Sequence, residues 1–429
     1  MCAWQLMSAV QAVFVMHVLS CNICNINYKV IIVLSDFKPW FLSRAFYLLF
    51  FYFQHIRNME RGVFLEEKYM GRAIELARNG TGRVNPNPLV GAVIVKDGEV
   101  IAEGCHEEYG GLHAERNAFK NLKRSAEGAD IYVTLEPCCH YGKQPPCTQA
   151  IIENGIKNVY IGSDDPNSLV AGNGIKQLRD AGINVVTGVL KEECDALNPV
   201  FFHYITTKTP YVVMKYAMTL DGKTACDSGE SKWVTGEEAR AYVQKTRNAL
   251  TGIMAGVQTV INDNPELTCH MPSGRNPVRI ICDSHLRIPD NCKILETAQQ
   301  ARTIIATVSE DEKRIKQLED RGAVIVKTAA FNGRTDLKML MGVLGSMGID
   351  GLLLEGGGTL NNSALKAGIV NHVQAYIAPK IFGGSGKYTP VGGESVLSPD
   401  GAYICENMDI KKFGSDILLE YDIKPGNSM

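Results

Sequence analysis

The chain has 429 residues, of which 21% are charged and 45% hydrophobic, with a formal net charge of -2. That length allows two or three domains, each with its own core, and the near-neutral balance argues against a nucleic-acid or anionic-membrane partner. The 13 cysteines are odd in number and scattered. This excludes a disulfide scaffold and suits a reducing compartment, where thiols stay free or bind metal.

Residues 1–58 differ from the remainder. They are rich in aromatics, and their only charged side chains are Lys29, Asp36, Lys38, Arg44 and Arg57. The apolar run over 40–53 is shorter than the ~20 residues of a membrane-spanning helix. The stretch over 3–21 is long enough but carries Gln5, Ser8, Gln11, His17 and Ser20. With no basic leader and no cleavage site, it is a poor signal peptide. The segment reads as an extension without catalytic role or a product of start-codon choice, with a membrane tether as the alternative.

Helical spacing over 66–78 places Tyr69, Met70, Ala73, Ile74 and Ala77 on one face. An apolar strand over 89–95 meets the turn Lys96-Asp97-Gly98-Glu99, and Val100 and Ile101 begin its hairpin partner. A helix over 113–122, a strand over 131–135 and a helix over 148–154 follow, the last ended by Gly155. Strands over 159–161 and 185–186 flank a helix over 175–181. A junction is expected over 202–210. Beyond it lie strands over 211–214, 278–282, 303–307, 324–326, 352–354 and 373–377, with helices between them, as over 237–248 and 311–321. Strands alternating with helices predict an α/β layer fold.

The strongest chemical signal is His113-Ala114-Glu115, followed by Glu136-Pro137-Cys138 and Pro146-Cys147. A catalytic zinc takes three protein ligands and keeps one position open. A carboxylate that is not a ligand must then carry protons from the attacking water to departing ammonia. His-x-Glu on the first turn of a helix puts both side chains over one spot. The general deaminase pattern is H-x-E…P-C-x-x-C. Here Cys138 and Cys147 are nine positions apart, separated by a longer loop. A structural zinc, or no metal, is the plainer alternative, and three ligands in order with Glu115 weigh against it.

The longer loop resembles that of the bifunctional riboflavin biosynthesis proteins of the RibD type. So do Asn85-Pro86-Asn87-Pro88-Leu89-Val90-Gly91, Thr134-Leu135-Glu136-Pro137-Cys138, Tyr141-Gly142-Lys143, Pro145-Pro146-Cys147, Asp165-Pro166-Asn167 and Val170-Ala171-Gly172. The resemblance runs from about residue 65 to the C-terminus. It implies that His113, Cys138 and Cys147 bind zinc, that Glu115 is the proton shuttle, and that Asn87, His140 and Lys143 touch a pyrimidine or its ribose phosphate. Cys139 stands where the family usually has a small hydroxyl residue, Gln144 where it has Thr or similar, and Asn173 where a basic residue is common.

A second set of motifs begins after Pro210. They are Lys215-Tyr216-Ala217-Met218-Thr219-Leu220-Asp221-Gly222-Lys223, Ser231-Lys232-Trp233-Val234-Thr235, Gly256-Val257-Gln258-Thr259-Val260, Asp263-Asn264-Pro265 and Glu355-Gly356-Gly357-Gly358-Thr359-Leu360. Glycines between a strand and a helix start suit phosphate. They do not match G-x-G-x-x-G, so no Rossmann domain is expected. Together these motifs resemble the reductase half of the same family, similar in fold to dihydrofolate reductase. That resemblance implies NADPH contacts from Ala217, Trp233, Thr259, Asp263, Gly357, Gly358, Thr359, Leu360, Asn361, Asn362 and Ser363. It implies substrate contacts from Lys215, Ser231, Arg247, Leu267, His270 and Glu355. The family usually has Arg where His270 stands, so phosphate binding there is expected to be weaker or pH-dependent.

The reading is therefore α/β, with a cytidine-deaminase-like three-layer domain over 59–206 and a dihydrofolate-reductase-like domain over 207–429. The resemblance implies zinc-dependent removal of the 2-amino group of 2,5-diamino-6-(ribosylamino)-4(3H)-pyrimidinone 5′-phosphate. NADPH-dependent reduction of ribosyl to ribityl would follow. A cytoplasmic homo-oligomer acting on a small molecule is expected, without nucleic acid or membrane. A nucleoside or tRNA deaminase fused to an unrelated module, or a membrane-tethered binding protein, are the alternatives. Because no residue that either site requires lies in 1–58, a chain begun at Met59 is expected to fold, bind zinc and catalyse both steps. Loss of folding in that shortened chain, beside an active full-length protein, would overturn the expectation.

Overall fold

The computed structural model describes residues 65–167 and 170–424 in full, and only the backbone of 15–20 and 27–31. In the latter, β1 (Val15–Ser20) pairs antiparallel with β2 (Asn27–Ile31). Most of 1–58, and with it the extension or tether reading, lies outside the described residues. Among those residues, no helix is long and apolar enough to cross a membrane.

A separate unit begins at Glu66. Its first half comprises α1 (helical over the described residues 65–77), β3 (Gly91–Lys96), β4 (Glu99–Cys105), α2 (Ala114–Lys120), β5 (Asp130–Leu135), α3 (Cys147–Glu153), β6 (Asn158–Ser163), α4 (Asn173–Asp180), β7 (Asn184–Thr187), α5 (Lys191–Asp195) and α6 (Pro199–Thr207). The strand order is β4-β3-β5-β6-β7. β3 is antiparallel to β4 and β5, and β5, β6 and β7 are parallel. Asp97 and Gly98, at φ 55° and 79°, close the β3–β4 hairpin in the left-handed conformation a two-residue turn needs.

Strand alternation builds the layers. Ala92, Ile94, Ile131, Val133, Val159 and Ile161 pack with Ala118 of α2, Ile151 of α3 and Leu178 of α4. Val93, Val95 and Tyr132 point to the other face and meet Tyr69, Met70, Ala73 and Ile74 of α1 and Cys194 of α5. Helices therefore cover both faces, as expected of a three-layer domain. The junction expected over 202–210 is mostly helical. Residues to Thr207 continue α6, whose Phe201 enters the first core, and only three residues separate that helix from the next strand.

The second half comprises β8 (Tyr211–Thr219), α7 (Glu237–Ala249), β9 (Gly252–Gly256), α8 (Val257–Asp263), β10 (Val278–Cys282), α9 (Lys293–Glu296), β11 (Thr303–Thr307), α10 (Glu312–Asp320), β12 (Ala323–Lys327), β13 (Ala330–Phe331), β14 (Arg334–Thr335), α11 (Leu337–Ser346), β15 (Gly351–Leu354), α12 (Gly358–Lys366), β16 (His372–Ala378), β17 (Cys405–Phe413) and β18 (Asp416–Ile423). Nine strands form one sheet in the order β12-β11-β10-β9-β15-β8-β16-β18-β17. From β12 to β16 the neighbours are parallel; β18 and β17 add an antiparallel edge. Parallel strands buried on both faces read as continuous apolar runs, as in Gly351–Leu354 with every residue buried. β9, β17 and β18 extend the strands expected from sequence, and β8 runs on to Thr219.

Gly104 ties this architecture to the chemistry. A Cβ there would lie 2.3 Å from the Ala118 backbone nitrogen and 2.5 Å from the Ala114 carbonyl oxygen. Helix α2 thus rests on the bare backbone of β4. Gly104→Ala is expected to push α2 outward and destabilise the fold by about 1–3 kcal/mol, the usual cost of overpacking, read from the denaturation midpoint. An unchanged midpoint would mean that α2 tolerates the shift.

Candidate active sites

Three segments converge beside β5. His113 is the N-cap of α2, with φ -69° and ψ 160°. Cys138 follows β5, and Cys147 opens α3 after Pro146. The donor atoms of His113, Cys138 and Cys147 all lie within 4.8 Å of one another, the one such group found among the described residues. His113 Nδ1 is 3.5 Å from Cys138 Sγ and 3.4 Å from Cys147 Sγ. Tetrahedral zinc with its usual Zn–N and Zn–S bonds separates nitrogen from sulfur by about 3.5 Å, so this donor set fits that ion. A hydrogen bond from the Cys147 thiol, then one from His113, hold Cys138 down at about 4. The same thiol pairing and burial push Cys147 up.

Glu115, in the first turn of α2, is 3% exposed. Burial, then the neighbouring Cys138 thiolate, raise its pKa. This is the environment a proton-shuttling carboxyl needs. The long loop between the cysteines is gripped from outside: Arg116 Nε donates to the Pro145 carbonyl at 2.9 Å, and its Nη2 to that of Pro146 at 2.7 Å.

Asn87 Nδ2 lies 3.1 Å from His106 Nε2, and the His106 ring meets that of His113 edge-on at 5.6 Å. Among the described residues the buried Nδ1 of His140 has no hydrogen-bond partner, and Lys143 Nζ sits 3.9 Å above the Tyr109 ring. Two contributors were not legible in sequence. His106 backs Asn87, and Glu136 receives the backbone N–H groups of Gly172, Gly174 and Ile175 at 3.0, 3.0 and 3.2 Å. Glu136 stood inside a recognised motif. Its partners lie 36 and more residues downstream, so its capping of α4 had no local signature.

The second site is a cleft of about 1360 Å³ at the carboxyl ends of β8, β9, β10 and β15. Ligands settle there in open α/β sheets. Every cofactor or substrate contact that the resemblance implies for the reductase half lines it except Asn362. Asn362 instead donates to the Glu394 carbonyl at 3.3 Å. Arg247 and Glu355, expected as separate substrate contacts, form a two-pronged pair at 2.9 and 3.0 Å. Arg247 Nη1 also donates to the Thr268 carbonyl at 2.9 Å. Lys215 Nζ stands 3.9 Å from the same carboxylate. Burial works to raise Glu355, but Arg247 and Lys215 more than offset it and hold it at about 2. Burial lowers Lys215, and Glu355 opposes that.

Trp233 is 62% exposed, with the Arg240 guanidinium 4.4 Å from its ring centre. His270 is exposed at the rim; its backbone nitrogen donates to Gln244 Oε1 at 2.9 Å. Sequence reasoning passed over Ser284, His285, Arg287 and Arg334 on the wall beyond β10 and Lys387 and Tyr388 on the opposite strap. The polar run after the apolar β10 was the available signal.

The metal geometry separates neighbouring thiols. Cys138→Ser or Cys147→Ser is expected to abolish stoichiometric zinc, whereas Cys139→Ser is expected to keep it, measured by elemental analysis of purified protein. Zinc loss in Cys139→Ser would show that the adjacent thiol is the ligand.

Comparison with known proteins finds a match for each half. Residues 65–163 match the cytidine and deoxycytidylate deaminase zinc-binding region, and residues 210–419 match the RibD C-terminal domain. Riboflavin biosynthesis protein RibD of Actinobacillus pleuropneumoniae is 58% identical over 353 residues, covering 82% of this chain and 94% of that protein. Its namesake in Bacillus amyloliquefaciens is 40% identical, over 84% of this chain and 97% of that one. The crystal structure of a diaminohydroxyphosphoribosylaminopyrimidine deaminase/5-amino-6-(5-phosphoribosylamino)uracil reductase from Thermotoga maritima superposes with a TM-score of 0.74 at 39% identity. It covers 85% of this chain and all of that one. Acinetobacter baumannii RibD gives 0.76 at 34% identity, over 84% and 99%. A deaminase-like domain followed by a dihydrofolate-reductase-like one is the fold these matches share, and neither an unrelated fused module nor a tethered binding protein finds support among them. The chain belongs to the RibD family of riboflavin biosynthesis proteins, which join a deaminase and a reductase in one polypeptide.

Proposed function

We propose that the chain deaminates 2,5-diamino-6-(ribosylamino)-4(3H)-pyrimidinone 5′-phosphate and then reduces its ribosyl group to ribityl, yielding 5-amino-6-(5-phospho-D-ribitylamino)uracil. The observation that carries the first step is the triangle of His113, Cys138 and Cys147 with buried Glu115 beside it. These three residues hold zinc, which when bound supplies the Lewis acidity that activates water. Glu115 takes a proton from the attacking water and passes it to the exocyclic nitrogen. A C–O bond forms at C2, the C–N bond breaks and ammonia leaves. Asn87, His140 and Lys143 orient the ring and its phosphate.

In the second step NADPH supplies the hydride. Gly357, Gly358, Thr359, Leu360, Asn361 and Ser363, with Ala217, Trp233, Thr259 and Asp263, hold the cofactor. Ser231, Leu267, His270 and the Arg247–Glu355 pair shape the substrate end, and Lys215 is placed to give a proton near the sugar. Deamination belongs to residues 59–206 and reduction to 207–429, with 1–58 outside both. A cytoplasmic setting is supported by free Cys138 and Cys147, which must stay reduced to bind metal. A homo-oligomer is supported by the edge strand β17, which carries exposed Met408 and Ile410 beside exposed Ile404.

Glu115→Gln keeps the shape and removes the shuttle. Deamination should fall by ~10²–10⁴-fold, while zinc content and NADPH-dependent reduction of the deaminated intermediate are retained. Product mass and NADPH absorbance report the two steps separately. Equal loss of both activities in folded protein would refute the assignment of two sites.

A further inference from the structure

The segment that carries Asn87 is pinned at alternate residues, and one pin comes from the far side of the molecule. Asn85 Nδ2 donates to Asp350 Oδ2 at 2.8 Å, across 265 positions of sequence. Asn87 Nδ2 lies 3.1 Å from His106 Nε2. The backbone nitrogen and carbonyl of Leu89 are both held by the Asn198 carboxamide, at 2.7 and 2.9 Å. His106 Nδ1 is 2.9 Å from the Leu112 carbonyl, to which it must donate. Its Nε2 is therefore the acceptor, and Asn87 spends its amide N–H there. The Asn87 Oδ1 remains for an N–H group of the pyrimidine.

Asp350 is built into the reductase core. It is 1% exposed and immediately precedes β15. Its other carboxylate oxygen accepts from Thr251 Oγ1, and its carbonyl accepts from the Tyr211 nitrogen at 2.8 Å. Arg275 Nη2 approaches Asn85 Oδ1 and Thr251 Oγ1, both at 3.5 Å, while the Arg275 backbone nitrogen donates to Asn248 Oδ1 at 2.8 Å. Asn248 also fills the space where a Gly82 Cβ would stand, 2.6 Å from the Asn248 carbonyl oxygen. The reductase half thus presents a rigid acceptor, in a close-fitting polar joint, to a deaminase segment two residues from its substrate contact.

We infer that Asp350 is a positioning residue for deamination: from the reductase half it fixes Asn85, and through Asn85 the placement of Asn87 in the pyrimidine pocket. This rests on the reading of Asn87 as a substrate contact. The deaminase pocket is then complete only when the reductase half is docked against it. An active-site group displaced by an ångström costs binding far out of proportion to the distance moved.

The test uses the full-length, zinc-loaded protein. Deaminase KM and kcat, zinc content, and the kinetics of reduction of the deaminated intermediate are measured for Asn85→Ala, Asp350→Ala, Asp350→Asn, the Asn85→Ala/Asp350→Ala double variant and the control Asn87→Ala. Losing a buried hydrogen bond to a charged acceptor corresponds to about a tenfold or larger effect. Deaminase KM is expected to rise by that factor in Asn85→Ala and Asp350→Ala, with kcat, zinc and reduction within about twofold of the parent. Asp350→Asn keeps an acceptor for Asn85 and should recover most of the KM. The double variant should be no worse than either single one, as for two members of one contact. If Asp350→Ala fails to fold because half-buried Arg275 loses the opposing charge of Asp350, Asn85→Ala decides alone. A parental KM in Asn85→Ala, beside a raised KM in Asn87→Ala, overturns the inference. A parental KM in Asn87→Ala overturns the reading of Asn87 itself, and the inference with it.

Discussion

The deaminase half depends on holding two sulfur atoms and one imidazole nitrogen within 4.8 Å of one another where burial opposes charge. Such a cluster is costly unless a cation or a proton sits among the donors. Much of the surrounding structure bears on it. Helix α2 lies on the glycine backbone of β4, Arg116 grips the loop between the cysteines, and Glu136 joins the segment leading to Cys138 to the start of α4. Thr148, next to Cys147, donates its hydroxyl to Gln177 of α4 at 2.7 Å. Both cysteine-bearing segments are therefore bolted to one helix. A ligand displaced by even half an ångström would leave the range of zinc bond lengths, so this redundancy has a physical purpose.

The reductase half solves a different electrostatic problem. Its cleft must receive an anionic cofactor and a phosphorylated substrate, yet a deep unpaired cation is expensive. Arg247 and Lys215 share Glu355, which neutralises part of their charge and fixes their direction. Arg287 and Arg334 lie farther along the wall and make no ion pair among the described residues. Charge is thus paired near the reacting sugar and left open where phosphates would be drawn in, a division that suits steering of anions into a cleft.

The two halves share one chain, and the route between them is short. Helix α6 enters the deaminase core through Phe201, and Tyr204 Oη donates to the Gly345 carbonyl of α11 at 3.0 Å. A junction was expected over 202–210, and its Thr and Lys residues dilute the apolar pattern of a helix there. The helix forms because Pro199 in its first turn favours it, and because both neighbouring cores accept its side chains. Burial overrode a weak local signal.

The meeting of His113, Cys138 and Cys147 was foreshadowed by residue type and order, with His-x-Glu at a helix start and cysteines at strand and helix ends, although the longer spacing between the cysteines was read through the family resemblance. Alternation likewise exposed the β3–β4 hairpin and the fully apolar parallel strands. The charged edge strand β17 escaped, since its exposed face removes the period-two pattern on which recognition rests. So did β18, whose Glu420 is held near 2, against the effect of burial, by His372, Lys411 and Gln374 rather than by any neighbour in sequence. The pairing of Arg247 with Glu355 across 108 positions, the turning of Asn362 away from the cleft, and the meeting of Asn85 with Asp350 were likewise decided only in three dimensions. Local chemistry is written in residue order, whereas the partner of a buried charge or amide is chosen by whichever segment the packing of the sheets brings within 3 Å, and no spacing rule encodes that.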